Sequence, residues 1–263
     1  MSKPLAVITG ASAGIGAVFA RKLAARGYDL LLIARREDRL RSLTDELGGE
    51  YLVADLARDE DLDRAVERVK VAQNLGLLVN NAGFGSLGNF HETDPAGQEQ
   101  MHRLHVIATL RLTQAALSNL IPRARAGTGV ISVSSIAAFM RAPQNVSYCA
   151  TKTWINAFTE GIAIELGGLK SPVRVQALCP GFTLSEFHDV LNMDRSPIAR
   201  SLWMSADFVV EESLRGFERG KLFVIPGWRY KLVVAALRVL PNGLLRKLAM
   251  VGVRRYRSKK TGR

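Results

Sequence analysis

The sequence predicts an α/β fold, a doubly wound parallel sheet of about seven strands in a single domain with a C-terminal helical extension. Two observations carry this expectation. Short apolar runs alternate with segments of helical spacing, and no linker, repeat or low-complexity stretch interrupts the alternation through the first 225 residues. The first apolar run also opens onto a glycine-rich turn at a helix start, the context that separates a parallel β-α-β unit from a simple hairpin.

The elements follow in order. Leu5-Ala6-Val7-Ile8-Thr9 reads as the first strand, and Gly10-Ala11-Ser12-Ala13-Gly14-Ile15-Gly16 as the turn. Ala17 to Arg26 then carries helical spacing at Val18, Phe19 and Leu23. A second strand, Leu30-Leu31-Leu32-Ile33-Ala34, ends at Arg35-Arg36. Strands are expected to begin near Pro4, Tyr28, Glu50, Gly76, Thr128, Val173 and Leu222, with a long helix ending near Leu169.

The glycine turn points to a dinucleotide. Gly10, Gly14 and Gly16 lack Cβ atoms where backbone must approach a pyrophosphate, and the helix start offers free N–H groups to the anion. Ser12 and Ile15 belong to the same turn. The other reading is a tight turn without a ligand. At the tip of the second strand an acid would accept the ribose 2′-OH of NAD. Arg35 and Arg36 stand there instead, and a guanidinium bonds bidentately to phosphate, which favours NADP. Arg35, first after the strand, is the expected ligand, and Arg36 is expected on the solvated face of the next helix with Arg39 and Arg41.

Farther along, Ser134-Ser135-Ile136 precedes Tyr148-Cys149-Ala150-Thr151-Lys152. Positions i and i+4 share a helix face, so the Tyr148 phenol and the Lys152 ammonium meet over one site. A phenol titrates near pH ~10, and a fixed cation is expected to lower that value toward useful acid/base chemistry.

With these motifs the chain resembles the short-chain dehydrogenase/reductase family, from Pro4 to about Gly227. The motifs stand in the family's order: Thr9-Gly10-x-x-x-Gly14-x-Gly16, Asp55-Leu56, Asn80-Asn81-Ala82-Gly83, Ser135, Tyr148-x-x-x-Lys152 and Pro180-Gly181. The resemblance implies a Rossmann-like dinucleotide-binding catalytic domain over residues 1–227, with 228–263 as a basic amphipathic extension. It implies that Asp55 bonds the adenine amino group and that the Asn81-Ala82-Gly83 turn lines the adenosine side. Tyr148 would be the general acid/base, Ser135 would orient the substrate oxygen, and Lys152 would tune the phenol and bind the nicotinamide ribose. Thr183 would hold the carboxamide and Ser185 would lie near the pyrophosphate. The family's long helices also form dimers and tetramers, so a homo-oligomer is expected.

One position departs from the pattern. Where the family carries an asparagine that holds a water of the proton relay, this chain has His105. Two readings stand: the imidazole sustains the relay and titrates near neutrality, or it is a buried polar residue and the water network is rearranged.

Composition adds limits. Cys149 and Cys179 are read as packing residues of a reducing compartment, and His91, His102, His105 and His188 show no metal-ligand pattern. Met1-Ser2-Lys3 leads straight into the first strand with no secretory pattern, so a cytoplasmic protein is expected.

The formal net charge of +12 is placed unevenly. From Lys221 onward there are 12 Lys and Arg residues and no acid, which leaves 24 basic against 24 acidic side chains before it. Leu232-Val233-Val234-Ala235-Ala236-Leu237 leads to Val239-Leu240, with Lys231 and Arg238 on one face. After Pro241-Asn242-Gly243, Leu244, Leu245, Leu248, Ala249 and Val251 share one arc opposite Arg246, Lys247, Arg254 and Arg257. Such a segment either lies on an anionic membrane or packs its apolar face on the domain or a partner subunit. Sparse aromatic interleaving argues against nucleic acid.

The stretch after Pro180-Gly181 holds Phe182, Leu184, Phe187, Val190, Leu191, Met193, Leu202, Trp203 and Met204. It suggests a hydrophobic carbonyl or alcohol substrate, acyl, lipid or steroid-like. The leading expectation is an NADP-dependent oxidoreductase. The alternative is a non-catalytic NADP(H)-binding sensor or scaffold.

Overall fold

The computed structural model describes residues 3–123, 125–186, 198–241, 243–247 and 249–250. The main strands are β1 (Leu5–Thr9), β2 (Asp29–Ala34), β3 (Glu50–Val53), β4 (Leu75–Asn80), β5 (Gly129–Val133) and β6 (Arg174–Leu178). β7 (Thr183–Leu184) and β8 (Met204–Ser205) form a separate small pair, and β9 (Phe223–Val224) closes the main sheet. The main sheet is parallel throughout, in the order β3-β2-β1-β4-β5-β6-β9. Each of these strands begins within one residue of the position expected from the apolar runs.

The strands read as continuous apolar runs because helices cover both faces. Ile8, Leu32, Val79 and Ile131 pack on one side with α1 (Gly14–Ala25), α2 (Glu37–Leu47) and α7 (Ala206–Glu218). Val7, Leu31, Leu78 and Val130 pack on the other with α3 (Asp59–Val71), α5 (Thr109–Leu120) and the end of α6 (Val146–Gly168). Between α3 and α5 lies α4 (Pro95–His102), which starts on a proline with Asp94 capping the Ala96 and Gly97 N–H groups.

β1 pairs with β2 on one side and β4 on the other, Val7 standing opposite both Leu31 and Leu78. The chain thus winds outward through β2 and β3, then crosses back to β4. That reversal splays the connections above β1 and β4 and opens a crevice at the carboxyl ends of the strands. Gly10, Arg35, Asp55, Asn81, Ser135 and Pro180 all lie just beyond those ends.

The C-terminal helix α8 (Trp228–Val239) buries Tyr230 and Val234. Its Arg238 guanidinium lies 5.0 Å from the Phe139 ring centroid and 5.6 Å from that of Phe223. The side turned to the domain thus joins Tyr230 and Val234 to Arg238, which the sequence pattern set with Lys231 on the cationic face, so the packing does not follow the expected apolar face. Its outer face carries exposed Trp228, Leu232, Val233 and Val239. Residues 243–247 and 249–250 are helical, while Leu248, Val251, Arg254 and Arg257 of the same sequence pattern lie outside the described residues. No described helix is long and apolar enough to cross a membrane.

Candidate active site

A cleft of about 480 Å³ runs over the strand ends, from the glycine turn to Ser135, Tyr148 and the Pro180–Phe182 turn. The turn is tied to the end of β4. Thr9 Oγ1 accepts hydrogen bonds from the N–H groups of Asn81 (2.9 Å) and Ala82 (3.0 Å), and Asn81 Nδ2 donates to the Thr9 carbonyl at 2.9 Å. Gly10 has φ +65°, and a Cβ there would meet Ala82 Cα at 2.8 Å. Close packing and left-handed backbone both demand glycine at that point. Asn81 thus acts on the loop by holding it. At the start of α1, Ala13 gives no side-chain cap and the first turn carries no acid. The helix start, with Gly14, Ile15 and Gly16, is therefore free to receive an anion, which fits a dinucleotide pyrophosphate. Ser185 packs against Gly14, where a Cβ would approach its own Cβ to 3.1 Å.

The tip of β2 differs in detail from the sequence expectation. Arg35 and Arg36 both line the cleft, but Arg36, expected on the solvated helix face, is the one fixed to the glycine turn. Its Nε and Nη2 donate to Ser12 Oγ at 3.2 and 3.1 Å, and its Nη1 donates to Glu186 Oε2 at 2.9 Å. Arg36 precedes α2 with extended backbone (φ −92°, ψ 98°), which turns it off the helix and toward the loop. Arg35 is 70% exposed, its Nη1 3.9 Å from Asp55 Oδ2. Asp55 itself accepts from the Ala57 N–H at 3.1 Å and lines the same end of the cleft.

At the other end, β5 delivers Ser135, whose hydroxyl accepts from the Ala137 N–H at 3.1 Å. Tyr148 and Lys152 lie in the first turns of α6, as their spacing predicts. Lys152 is buried, donates from Nζ to the Val133 carbonyl at 2.8 Å, and places that nitrogen 5.6 Å from the Tyr148 ring centroid. Burial pushes the Tyr148 phenol up to about 12, opposed by a hydrogen bond with Ser135. Burial also pushes Lys152 down to about 8. The phenol thus stands above its ordinary value, opposite to the direction expected from a nearby ammonium, and the cause is its burial.

His105 sits in a π-helical segment, Arg103–Ala108, that joins α4 to α5. Such segments carry an extra residue per turn and redirect side chains. Here the redirected ring lies beneath Gly83, where a Cβ would stand 2.6 Å from Nε2. Nε2 lies 3.2 Å from the Phe84 backbone nitrogen and accepts its N–H, so Nδ1 carries the proton and donates to Thr151 Oγ1 at 2.9 Å. Thr151 in turn donates to the Tyr148 carbonyl at 2.9 Å. Burial, with Lys152 adding to it, holds His105 well below the usual imidazole range. Burial thus favours the neutral ring, against the titrating reading and toward that of a buried polar residue bonded at both nitrogens.

Thr183 is buried in β7, its Oγ1 donating to the Gly181 carbonyl at 3.0 Å. Phe182, which lines the cleft, packs its ring on that of Trp203 at 5.3 Å between centroids. Phe187, Val190, Leu191 and Met193 lie outside the described residues. One residue that holds the Pro180–Phe182 turn was not anticipated. The Tyr230 phenol of α8 accepts from the Phe182 N–H at 3.1 Å and donates to the Leu202 carbonyl at 2.7 Å. Its ring covers Gly181 so closely that a Cβ there would overlap it. No local sequence signal marks Tyr230, because its partners lie in segments distant along the chain. Cys149 and Cys179 are free and buried, and no metal-ligating cluster occurs among the described residues.

Residues 4–196 match the family described as short chain dehydrogenase. The chain belongs to that family. It is thus an oxidoreductase, and its fold agrees with solved members. The dehydrogenase is similar to a short-chain dehydrogenase from Sphingobium yanoikuyae in complex with NADPH, at 31% identity and TM-score 0.80, over 91% of this chain and 97% of that one. It is also similar to the bulky-bulky ketone specific alcohol dehydrogenase from Comamonas testosteroni, at 27% identity and TM-score 0.75, over 92% and 96% of the two chains. A short chain dehydrogenase of Pseudocercospora fijiensis is 35% identical over 190 residues, which span 69% of this dehydrogenase and 60% of that protein. Members of the family act on small-molecule carbonyls and alcohols.

Proposed function

We propose that the protein is an NADP(H)-dependent oxidoreductase for a carbonyl or secondary alcohol carried on a hydrophobic acyl, lipid or steroid-like molecule. One observation carries the reading: Ser135, Tyr148 and Lys152 border the cleft that continues from an uncapped helix start behind a glycine turn. Bound NADP(H) supplies or accepts the hydride at the substrate carbon. The chain's own groups handle the oxygen. Tyr148 retains its proton at neutral pH, with its phenol pushed up to about 12, and so gives it to the carbonyl oxygen during reduction. Ser135 hydrogen-bonds the same oxygen. Lys152, pushed down to about 8, exchanges protons near neutrality and returns one to the phenolate. In the oxidative direction each transfer reverses.

Cofactor choice rests on the two guanidiniums that follow β2, where the chain of an NAD enzyme carries an acid, and the NADPH complex of the Sphingobium relative supports it. Gly10, Ser12, Gly14, Ile15, Gly16, Arg35, Asp55, Asn81, Lys152 and Thr183 form the proposed cofactor-contacting set, with Arg36 added by its bond to Ser12. The apolar side chains of Ile136, Met140 and Phe182 along the cleft and the similarity to a bulky-ketone enzyme support a large hydrophobic substrate. A screen of short polar, acyl and steroid ketones with NADPH and with NADH tests the reading. The large apolar ketones with NADPH are expected to give the highest kcat/KM; faster turnover of short polar ketones refutes the substrate class.

The reading includes a cytoplasmic homo-oligomer, with residues 228–263 as an extension that makes peripheral contact with anionic membrane. Trp228, 63% exposed, with Leu232 and Val239 on the outer face beside a run of cations, supports that contact. Flotation with vesicles rich in anionic lipid is expected to lift the full chain and to lose it at high salt. Equal flotation on neutral vesicles sinks the idea. The sensor alternative gains no support, because His105 bonds Phe84 and Thr151 and leaves the three catalytic candidates together.

A further inference from the structure

Glu186 stands between two guanidiniums at the mouth of the glycine turn. Its Oε2 accepts from Arg36 Nη1 at 2.9 Å, and its Oε1 accepts from Arg39. Both bonds hold its carboxyl below the usual carboxylate range, Arg39 the more strongly. The Nε/Nη2 edge of Arg36 is spent on Ser12 Oγ. Ser12, a neutral hydroxyl, thus takes the Nε/Nη2 edge of Arg36, and Glu186, a charged competitor, takes Nη1. Glu186 is not part of α2. It follows Ser185, which packs on Gly14, so its carboxylate reaches the arginines from across the cleft.

A fork-shaped guanidinium binds phosphate best with two parallel N–H groups, and Arg36 offers no such pair while Glu186 and Ser12 both hold it. A ribose without a 2′-phosphate makes no demand on these arginines and leaves the carboxylate in place. A 2′-phosphate, near −2 in charge, must either displace the carboxylate or lie beside it and be repelled.

We propose that Glu186 is a specificity-determining residue that competes with the 2′-phosphate for Arg36 and Arg39, and so lowers affinity for NADPH but not for NADH. This rests on the NADP(H) reading, with Arg36 as a phosphate ligand. Direct titration of both dinucleotides, followed by nicotinamide fluorescence, tests it without turnover. In Glu186→Gln, Kd for NADPH is expected to fall about five- to twentyfold, from release of two exposed ion pairs and the attendant repulsion, while Kd for NADH stays within about twofold. Glu186→Ala, titrated in parallel, is expected to agree, tracing the effect to the lost carboxylate. An unchanged or weaker NADPH Kd in variants that melt like the wild type overturns the proposal, as does equal tightening of both dinucleotides. A wild type without NADPH preference that gains one in Glu186→Gln supports the role of Glu186 while refuting the native preference for NADP.

Discussion

Tyr148→Phe is expected to lower turnover by about 10²–10⁴-fold, the range that positioned proton transfer contributes. The substitution keeps the ring, and with it the edge contact to His105 at 5.8 Å between centroids, so the cleft keeps its shape. What disappears is the hydroxyl that bonds Ser135 and carries the proton. Because the loss falls on the transition state and not on dinucleotide binding, Kd for NADPH is expected to move less than about twofold. Single-turnover rates and a binding titration on the same sample check both halves. A variant with near-normal turnover removes Tyr148 from the mechanism. The wild-type rate is further expected to show no inflection at the ordinary imidazole pKa, since burial pushes His105 below it.

The second large effect concerns cofactor choice. Replacing Arg35 and Arg36 together by alanine is expected to lower kcat/KM with NADPH by about 10²–10⁴-fold, at roughly 1.5–3 kcal/mol for each charged hydrogen-bonding side chain removed. The same enzyme with NADH is expected to change by less than about threefold, since a bare ribose has no phosphate to lose. The single variants separate the two residues. Arg36, already held at the glycine turn and opened to the phosphate once Glu186 is displaced, gives up less side-chain freedom on binding than Arg35, which is 70% exposed. Arg36→Ala is therefore expected to do the greater harm. Equal losses with NADPH and NADH in the double variant refute the phosphate role.

The frame of the molecule was legible because its signals are local. Apolar runs between helical spacings located the strands, and Gly10, Gly14 and Gly16 announced the turn. Tyr148 and Lys152 were placed on one face by the helical period alone. Three features escaped for a shared reason, namely that they depend on balances set by distant parts of the chain. Whether Lys152 lowers the Tyr148 pKa depends on the Val133 carbonyl taking the ammonium and on how completely water is excluded. Arg36 turns inward because Ser12 and Glu186 receive it, partners 24 and 150 residues away. His105 could not be judged without the π-helical turn that carries it under Gly83.

Tyr230 has a consequence for how such a chain can change over generations. A bulkier residue at position 181 is tolerable only if the phenol above it goes, and shortening the C terminus removes the strut between Phe182 and Leu202. The two regions must therefore vary together. A descendant that alters one of them inherits an obligation to rebuild the other.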